Sequence, residues 1–433
     1  MKKIISLVVA VLLVAVLAVS FVACDETPKE DDKLTIVYLG DSIAEALIGP
    51  SPVSERDNYG YYALVGRCNN MNYYNHSISG HLTSGSMVDK DNGDGLLQIV
   101  SRDDETATLI KTHIVEADVI HISVLGNNML QFSLGSLMME MADVEQNKTG
   151  ADRWYQACFA GDDNENALRK KYDDDKSLFE YLHDGGSESV IRPSMWYGWE
   201  NDDVRFGDRY DGENAYTKDP TFNFPSTYQN IVDIVARLRQ LNPAAKIVFQ
   251  KVYNPVYEGT TLLSAAEFQA LKDRGYDTIE KVRALAQKLL DYLNGILDEY
   301  NENNPNNKVD ILDINKVFDE LTNTDTDESG KADLSGSSLG RSLIFDDWTH
   351  PSNIGHAIIA GATQDMLAGW GMADENAVAN YKAIKCDQID RMFSSIEGFD
   401  AQNAKDKINN AATFFDVTKA YFTAISGYTP VNY

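Results

Sequence analysis

Five short apolar runs, set between stretches of helical periodicity, constrain this chain more than any other feature. The runs Leu34–Leu39, Met71–Asn75, Val119–Leu125, Lys246–Val252 and Val309–Leu312 have the length and residue types of buried strands. Between the third and fourth, Ile231, Ile234, Val235 and Leu238 recur at helical spacing, and after the fourth so do Val282, Ala286, Leu289, Leu293, Ile296 and Leu297. Strand and helix in turn imply right-handed crossovers and a parallel sheet covered on both faces. The expected fold is therefore α/β: a three-layer α/β/α sandwich on a five-stranded parallel sheet. In such sheets ligands bind beyond the carboxyl ends of the strands, where the loops converge.

Two blocks of reactive residues stand at such places. Gly40-Asp41-Ser42-Ile43 follows the first run directly, and Ala44-Glu45-Ala46-Leu47 behind it reads as a helix start. A serine at a strand-to-helix turn presents its hydroxyl at the sheet edge, and its own N–H can stabilise the oxyanion that develops when it attacks a carbonyl. A serine before a helix is also a common N-cap, so the tripeptide alone leaves both readings open. Far along the chain, Asp347-Trp348-Thr349-His350 precedes an apolar helix beginning near Asn353. A carboxylate three residues before a histidine can accept its Nδ1–H and leave the opposite nitrogen free to take a serine proton.

Together and in this order, the blocks resemble those of the SGNH (GDSL-type) hydrolases, whose fold is flavodoxin-like. Asn75-His76-Ser77-Ile78-Ser79-Gly80, after the second run, is similar to that family's glycine block, and Gly126-Asn127-Asn128, after the third, to its Gly-x-Asn block. The resemblance implies Ser42 as nucleophile, His350 as base and Asp347 as its acidic partner. It further implies an oxyanion hole made by the Ser42 and Gly80 N–H groups and the Asn128 side chain. Met129 stands where the family often has aspartate, which leaves the choice between Asn127 and Asn128 open, and Ile43 replaces the name-giving leucine. The implied reaction is ester hydrolysis through an acyl-enzyme, with no metal and no organic cofactor. O-acetyl groups on carbohydrate, or other short-chain esters, are the expected substrates. A lysophospholipase or lipase-like hydrolase and a non-catalytic glycan-binding surface lipoprotein are the alternatives.

Lys2 and Lys3 followed by an apolar run from Ile4 to Ala23 have the shape of an export signal, and Phe21-Val22-Ala23-Cys24 resembles a bacterial lipobox. This reading takes residues 1–23 as a lipoprotein signal peptide, Cys24 as the lipidated residue and 24–33 as a charged linker. The protein would then be exported and held on the outer face of a bacterial membrane by lipid alone. An uncleaved anchor is the competing reading, since the run is about the roughly 20 residues that span a bilayer. A formal net charge of −28 over 433 residues excludes nucleic acid as a partner, because phosphate backbones are bound by displacing counterions with basic groups. Cys68, Cys158 and Cys386 show no metal-ligand spacing and read as small buried residues.

The hydrolase domain is expected over 34–372, interrupted at 131–225 by an aromatic-rich insertion or lid. Within it Trp196, Tyr197 and Trp199 are the candidate substrate platform. A helical extension is expected over 373–433, with Tyr381, Ile384, Ile389 and Met392 on one face. The loop Asp325–Asp333 has acids at calcium-loop spacing, but Gly336 stands where the bidentate glutamate should be, so it reads as a plain acidic loop. Of the other histidines, His356 reads as structural, whereas His76 and His81 flank the glycine block and could line the site.

Overall fold

The computed structural model describes residues 33–47, 53–85, 94–102, 105–130, 134–149, 153, 177–185, 226–323, 343–345, 347 and 349–428. The expectations placed on Cys24 and the segments before it, on Trp196, Tyr197 and Trp199, on Cys158 and on the loop Asp325–Asp333 lie outside these residues. No helix among the described residues is long and apolar enough to cross a membrane.

Five strands form one sheet: β1 (Thr35–Gly40), β2 (Asn72–Asn75), β3 (Val119–Ser123), β4 (Lys246–Gln250) and β5 (Asp310–Leu312). Their spatial order is β2-β1-β3-β4-β5 and every pairing is parallel. Helices flank the sheet, so the architecture is the expected α/β/α sandwich. The chain reverses its direction of winding between β1 and β3, and a crevice opens there beyond the strand ends.

Alternation along the strands decides what each face meets. Tyr38 on β1 pairs in register with His121 on β3, and both rings lie against Tyr61 of the helix Tyr61–Cys68. That helix packs with Asn353–Gly369, whose His356 stacks on Tyr61. A second group of helices, Leu96–Ser101, Glu105–Glu116, Thr227–Leu241 and Ile279–Asn303, packs together. The apolar faces read from the sequence are the buried ones: Ile231, Ile234, Val235 and Leu238 in one helix, and Val282 through Leu297 in the next. Burial of each such side chain contributes about 1.5–3 kcal/mol.

Two strands end two residues before their apolar runs do. β3 stops at Ser123 and a helix begins at Leu125. β4 stops at Gln250 because the Asn294 and Asn315 side chains take the Val252 backbone: its N–H donates to Asn294 Oδ1 at 2.8 Å, and its carbonyl accepts from both amides. Side-chain partners thus replace a ladder that would otherwise continue.

The described residues from Thr35 onward belong to one compact unit. The helix Ala377–Met392 docks on Tyr61–Cys68 and Phe414–Ile425 on Asn353–Gly369, with Ala401–Asn410 packed against both of these C-terminal helices. Asn380 Nδ2 donates to the Cys68 carbonyl at 2.8 Å, Gln388 Nε2 to the Asn58 carbonyl at 2.8 Å, and the Asp374 N–H to Asn69 Oδ1 at 2.9 Å. Leu134–Glu145, the first helix of the stretch read as an insertion, is buried along most of its length and packs against Ile279–Asn303.

Candidate active site

Gly40 ends β1 with φ +137°, and a Cβ there would come within 1.8 Å of the Ser123 carbonyl oxygen. Only glycine allows that approach. The next residue, Asp41, donates its N–H to the same carbonyl at 2.8 Å, so β1 and β3 launch their following loops from one place. Beyond it the chain makes a single turn, with Glu45 N–H on the Asp41 carbonyl and Leu47 N–H on the Ser42 carbonyl, both at 2.9 Å. Ala46 ends the turn at φ +59°. The helix expected to begin at Ala44 is thus one turn among the described residues, and Ser42 is set by local hydrogen bonds rather than by a long helix.

His350 reaches this turn from 308 residues away, its Nε2 lying 2.7 Å from Ser42 Oγ. On the other side of the ring, Nδ1 lies 2.6 Å from Asp347 Oδ2. The second carboxylate oxygen, Oδ1, accepts the Thr349 and His350 N–H groups at 3.0 Å each. One carboxylate therefore shapes the loop with one oxygen and orients the imidazole with the other. Burial pushes the Asp347 carboxyl up, but the His350 side chain and these N–H donors outweigh it and leave it below the ordinary value. The loop is closed by the Phe345 N–H on the His350 carbonyl at 2.8 Å, by a bridge between Ile344 and Pro351, and by the Tyr253 hydroxyl on the Thr349 carbonyl at 2.5 Å.

The third side of the site is the loop after β2. Gly80 sits there at φ +82°. Its N–H and that of Ser42 donate to no acceptor among the described residues. Both neighbours of Gly80 are pinned. The Ser79 N–H donates to Glu45 Oε2 at 2.7 Å, its hydroxyl donates to the same oxygen, and Glu45 also holds Arg56. The His81 carbonyl accepts Asn127 Nδ2 at 3.0 Å.

Asn127 and Asn128 are separated by the helix geometry. They lie in the first turn of Leu125–Leu130, where successive side chains point about 100° apart, so one can face Ser42 and the other cannot. Asn127 lines the cleft together with Ser42. Asn128, the residue named from the sequence, turns into the body: its Nδ2 donates to Thr83 Oγ1 at 2.9 Å and to Thr227 Oγ1 at 3.1 Å, and its Oδ1 accepts the Thr83 N–H at 2.9 Å.

Asp41, 1% exposed, also lines the cleft. Burial pushes its carboxyl up to about 7 against the Ile43 N–H and the charge of His350. Of the remaining histidines only His81 adjoins Gly80. His76 pairs with His113 at 2.7 Å, His183 with Asp184 and Glu299, and His121 and His356 are in the core. His81 is buried and held by burial near a pKa of about 4. Among the described residues no group of three ligating side chains could hold a metal, and Cys68 and Cys386 are free. Glu45 and Tyr253 were not singled out from the sequence. Tyr253 had one available signal, its position just past the fourth strand.

Fold and site together define an α/β protein with a Ser42–His350–Asp347 relay at the point where the sheet reverses its winding. No family model matches the chain, and no curated protein matches it. Among solved structures it is similar to the lipase Lip_vut3 from a goat rumen metagenome, at TM-score 0.35 and 14% identity over 77% of this chain and 97% of that one. It is also similar to phospholipase A1 from Streptomyces albidoflavus NA297, at 0.35 and 13% over 78% and 99%. A third is Est24, a carbohydrate acetylesterase from Sinorhizobium meliloti, at 0.34 and 12% over 78% and 100%.

Proposed function

We propose that this chain is a serine hydrolase that cleaves carboxylic esters through an acyl-enzyme. The observation that carries the reading is the unbroken relay from Asp347 Oδ2 through His350 to Ser42 Oγ, at 2.6 and 2.7 Å. His350 Nε2 takes the Ser42 proton as Oγ attacks the ester carbonyl carbon, and the carbonyl electrons move onto oxygen. The Ser42 and Gly80 N–H groups and the Asn127 amide, whose Nδ2 has a second hydrogen, receive that oxyanion. Collapse expels the alcohol, which takes the proton from His350. Water, deprotonated by the same nitrogen, then releases the acid.

The finer reading is that the acid is acetic or a similarly short one and that the alcohol belongs to a neutral carbohydrate. The net charge of −28 supports it by disfavouring anionic lipid surfaces. Export and lipid attachment at Cys24 belong to the same proposal. They predict that radiolabelled palmitate is incorporated into the wild type and not into Cys24→Ala.

Labelling with a fluorophosphonate probe tests the chemistry. Labelling of the wild type that disappears in Ser42→Ala, with hydrolysis of p-nitrophenyl acetate lost in parallel, is the expected result. Labelling that persists in Ser42→Ala would overturn the assignment.

A further inference from the structure

The cleft beside Ser42 has a wall drawn from three separate segments: Met129 and Leu130 from the helix after β3, Val252 and Pro255 beyond β4, and Leu262 before the helix Ala265–Asp273, with Ile43 beside the nucleophile. The gap between the walls is narrow: the centre of a water-sized group can occupy only about 20 Å³ of it, and the 380 Å³ of non-atom space around it includes open solvent. Only small groups, on the order of a water or a methyl, fit between the walls. Met129 is 2% exposed and Leu262 6%, so the wall is itself packed, and close-packed side chains do not yield readily to added methylenes.

We infer that this cleft is the acyl chamber of the esterase proposed above, and that Met129 and Leu262 limit it to acetyl-sized groups. The inference rests on that reading and sharpens it to one substrate class, acetyl esters. A carbohydrate alcohol placed here would give up its hydrogen bonds to water against an apolar wall, whereas the methyl of an acetyl group needs none. The lining already contains Ser42 and Asn127, so a carbonyl carbon bonded to Ser42 Oγ places its acyl substituent next to the chamber.

Gly126 provides an independent handle. A Cβ built on it would lie 3.7 Å from Ile43 Cδ1 and 3.8 Å from Asp41 Oδ2. Both are ordinary contacts, so alanine fits there without strain and projects between two residues of the lining.

The test is kcat/KM toward p-nitrophenyl acetate, propionate, butyrate and hexanoate. For the wild type a fall of about tenfold or more from acetate to butyrate is expected, the scale of discrimination that a tight apolar pocket exerts on extra methylenes. Met129→Ala and Leu262→Ala raise the butyrate-to-acetate ratio about tenfold, and Gly126→Ala lowers the propionate-to-acetate ratio. A ratio of two substrates on one preparation does not depend on how much of it is folded, so a destabilised variant still reports. Wild-type turnover of hexanoate equal to that of acetate, or ratios unmoved in all three variants, overturns the chamber while Ser42-dependent hydrolysis stands. Hydrolysis that survives Ser42→Ala overturns the parent reading and the chamber with it.

Discussion

His350 Nε2 stands 2.7 Å from Ser42 Oγ, although 308 residues separate them along the chain. The contact is made by two loops that share no secondary structure and are held independently, one by Gly40 against Ser123 and the other by Asp347 and Tyr253. Because the base acts only in this geometry, His350→Ala is expected to lower kcat by about 10⁴-fold or more. Asp347→Asn is expected to lower it by roughly 10³- to 10⁴-fold by allowing the wrong tautomer. Steady-state kinetics beside melting curves check both, since neither change should unfold the protein.

The adjacent asparagines give opposite outcomes. Asn127→Ala removes the proposed oxyanion donor and should lower kcat by about 10²- to 10³-fold. Asn128→Ala strands the Thr83 N–H, which donates to its amide oxygen in a fully buried position, and should reduce stability by about 1–3 kcal/mol. Urea unfolding and turnover, measured on both variants, separate the roles. Equal kinetic losses without a stability difference would contradict this division.

Glu45 is a positioning residue: it holds Ser79, and with it the approach of Gly80 to the nucleophile. Glu45→Ala should lower kcat roughly tenfold to a hundredfold with KM little changed, because small misplacements of reacting groups are expensive. Glu45→Gln keeps an acceptor for the Ser79 N–H and should recover part of the loss. A change confined to KM would argue for direct substrate contact instead.

Acid stability has a definite sign. Burial pushes His121 down to about 3, and burial with the charge of His350 does the same to His356. Below the ordinary value near 6.5 the unfolded chain takes up protons that these two buried rings refuse, so stability falls as pH drops from about 6.5 toward 3. Asp41, pushed up to about 7, works oppositely, since the folded carboxyl keeps its proton over part of that window. Two imidazoles outweigh one carboxyl. Calorimetry between pH 7 and 4 should show a falling Tm, flattened in His356→Leu and His121→Phe.

The sheet was legible because its evidence is local. Apolar runs of strand length and the faces of helices such as Thr227–Leu241 and Ala377–Met392 follow from side-chain periodicity, and burial of those faces is what the fold requires. The same holds for Asp347 and His350, whose pairing needs only one loop, and for glycine at positions 40 and 80, where the backbone takes a positive φ. The ends of β3 and β4 were not legible. Asn294 and Asn315, which cut β4 short, come from distant helices.

Sequence alone therefore determined the layers, the strand order's raw material and the chemical types at the site. Tertiary structure decided which asparagine lines the cleft with Ser42, how Glu45 fixes Ser79 and that Tyr253 closes the histidine loop. The reason is physical: periodicity records which side of an element is apolar, but the direction of a single side chain and the volume between packed elements depend on neighbours from remote parts of the chain.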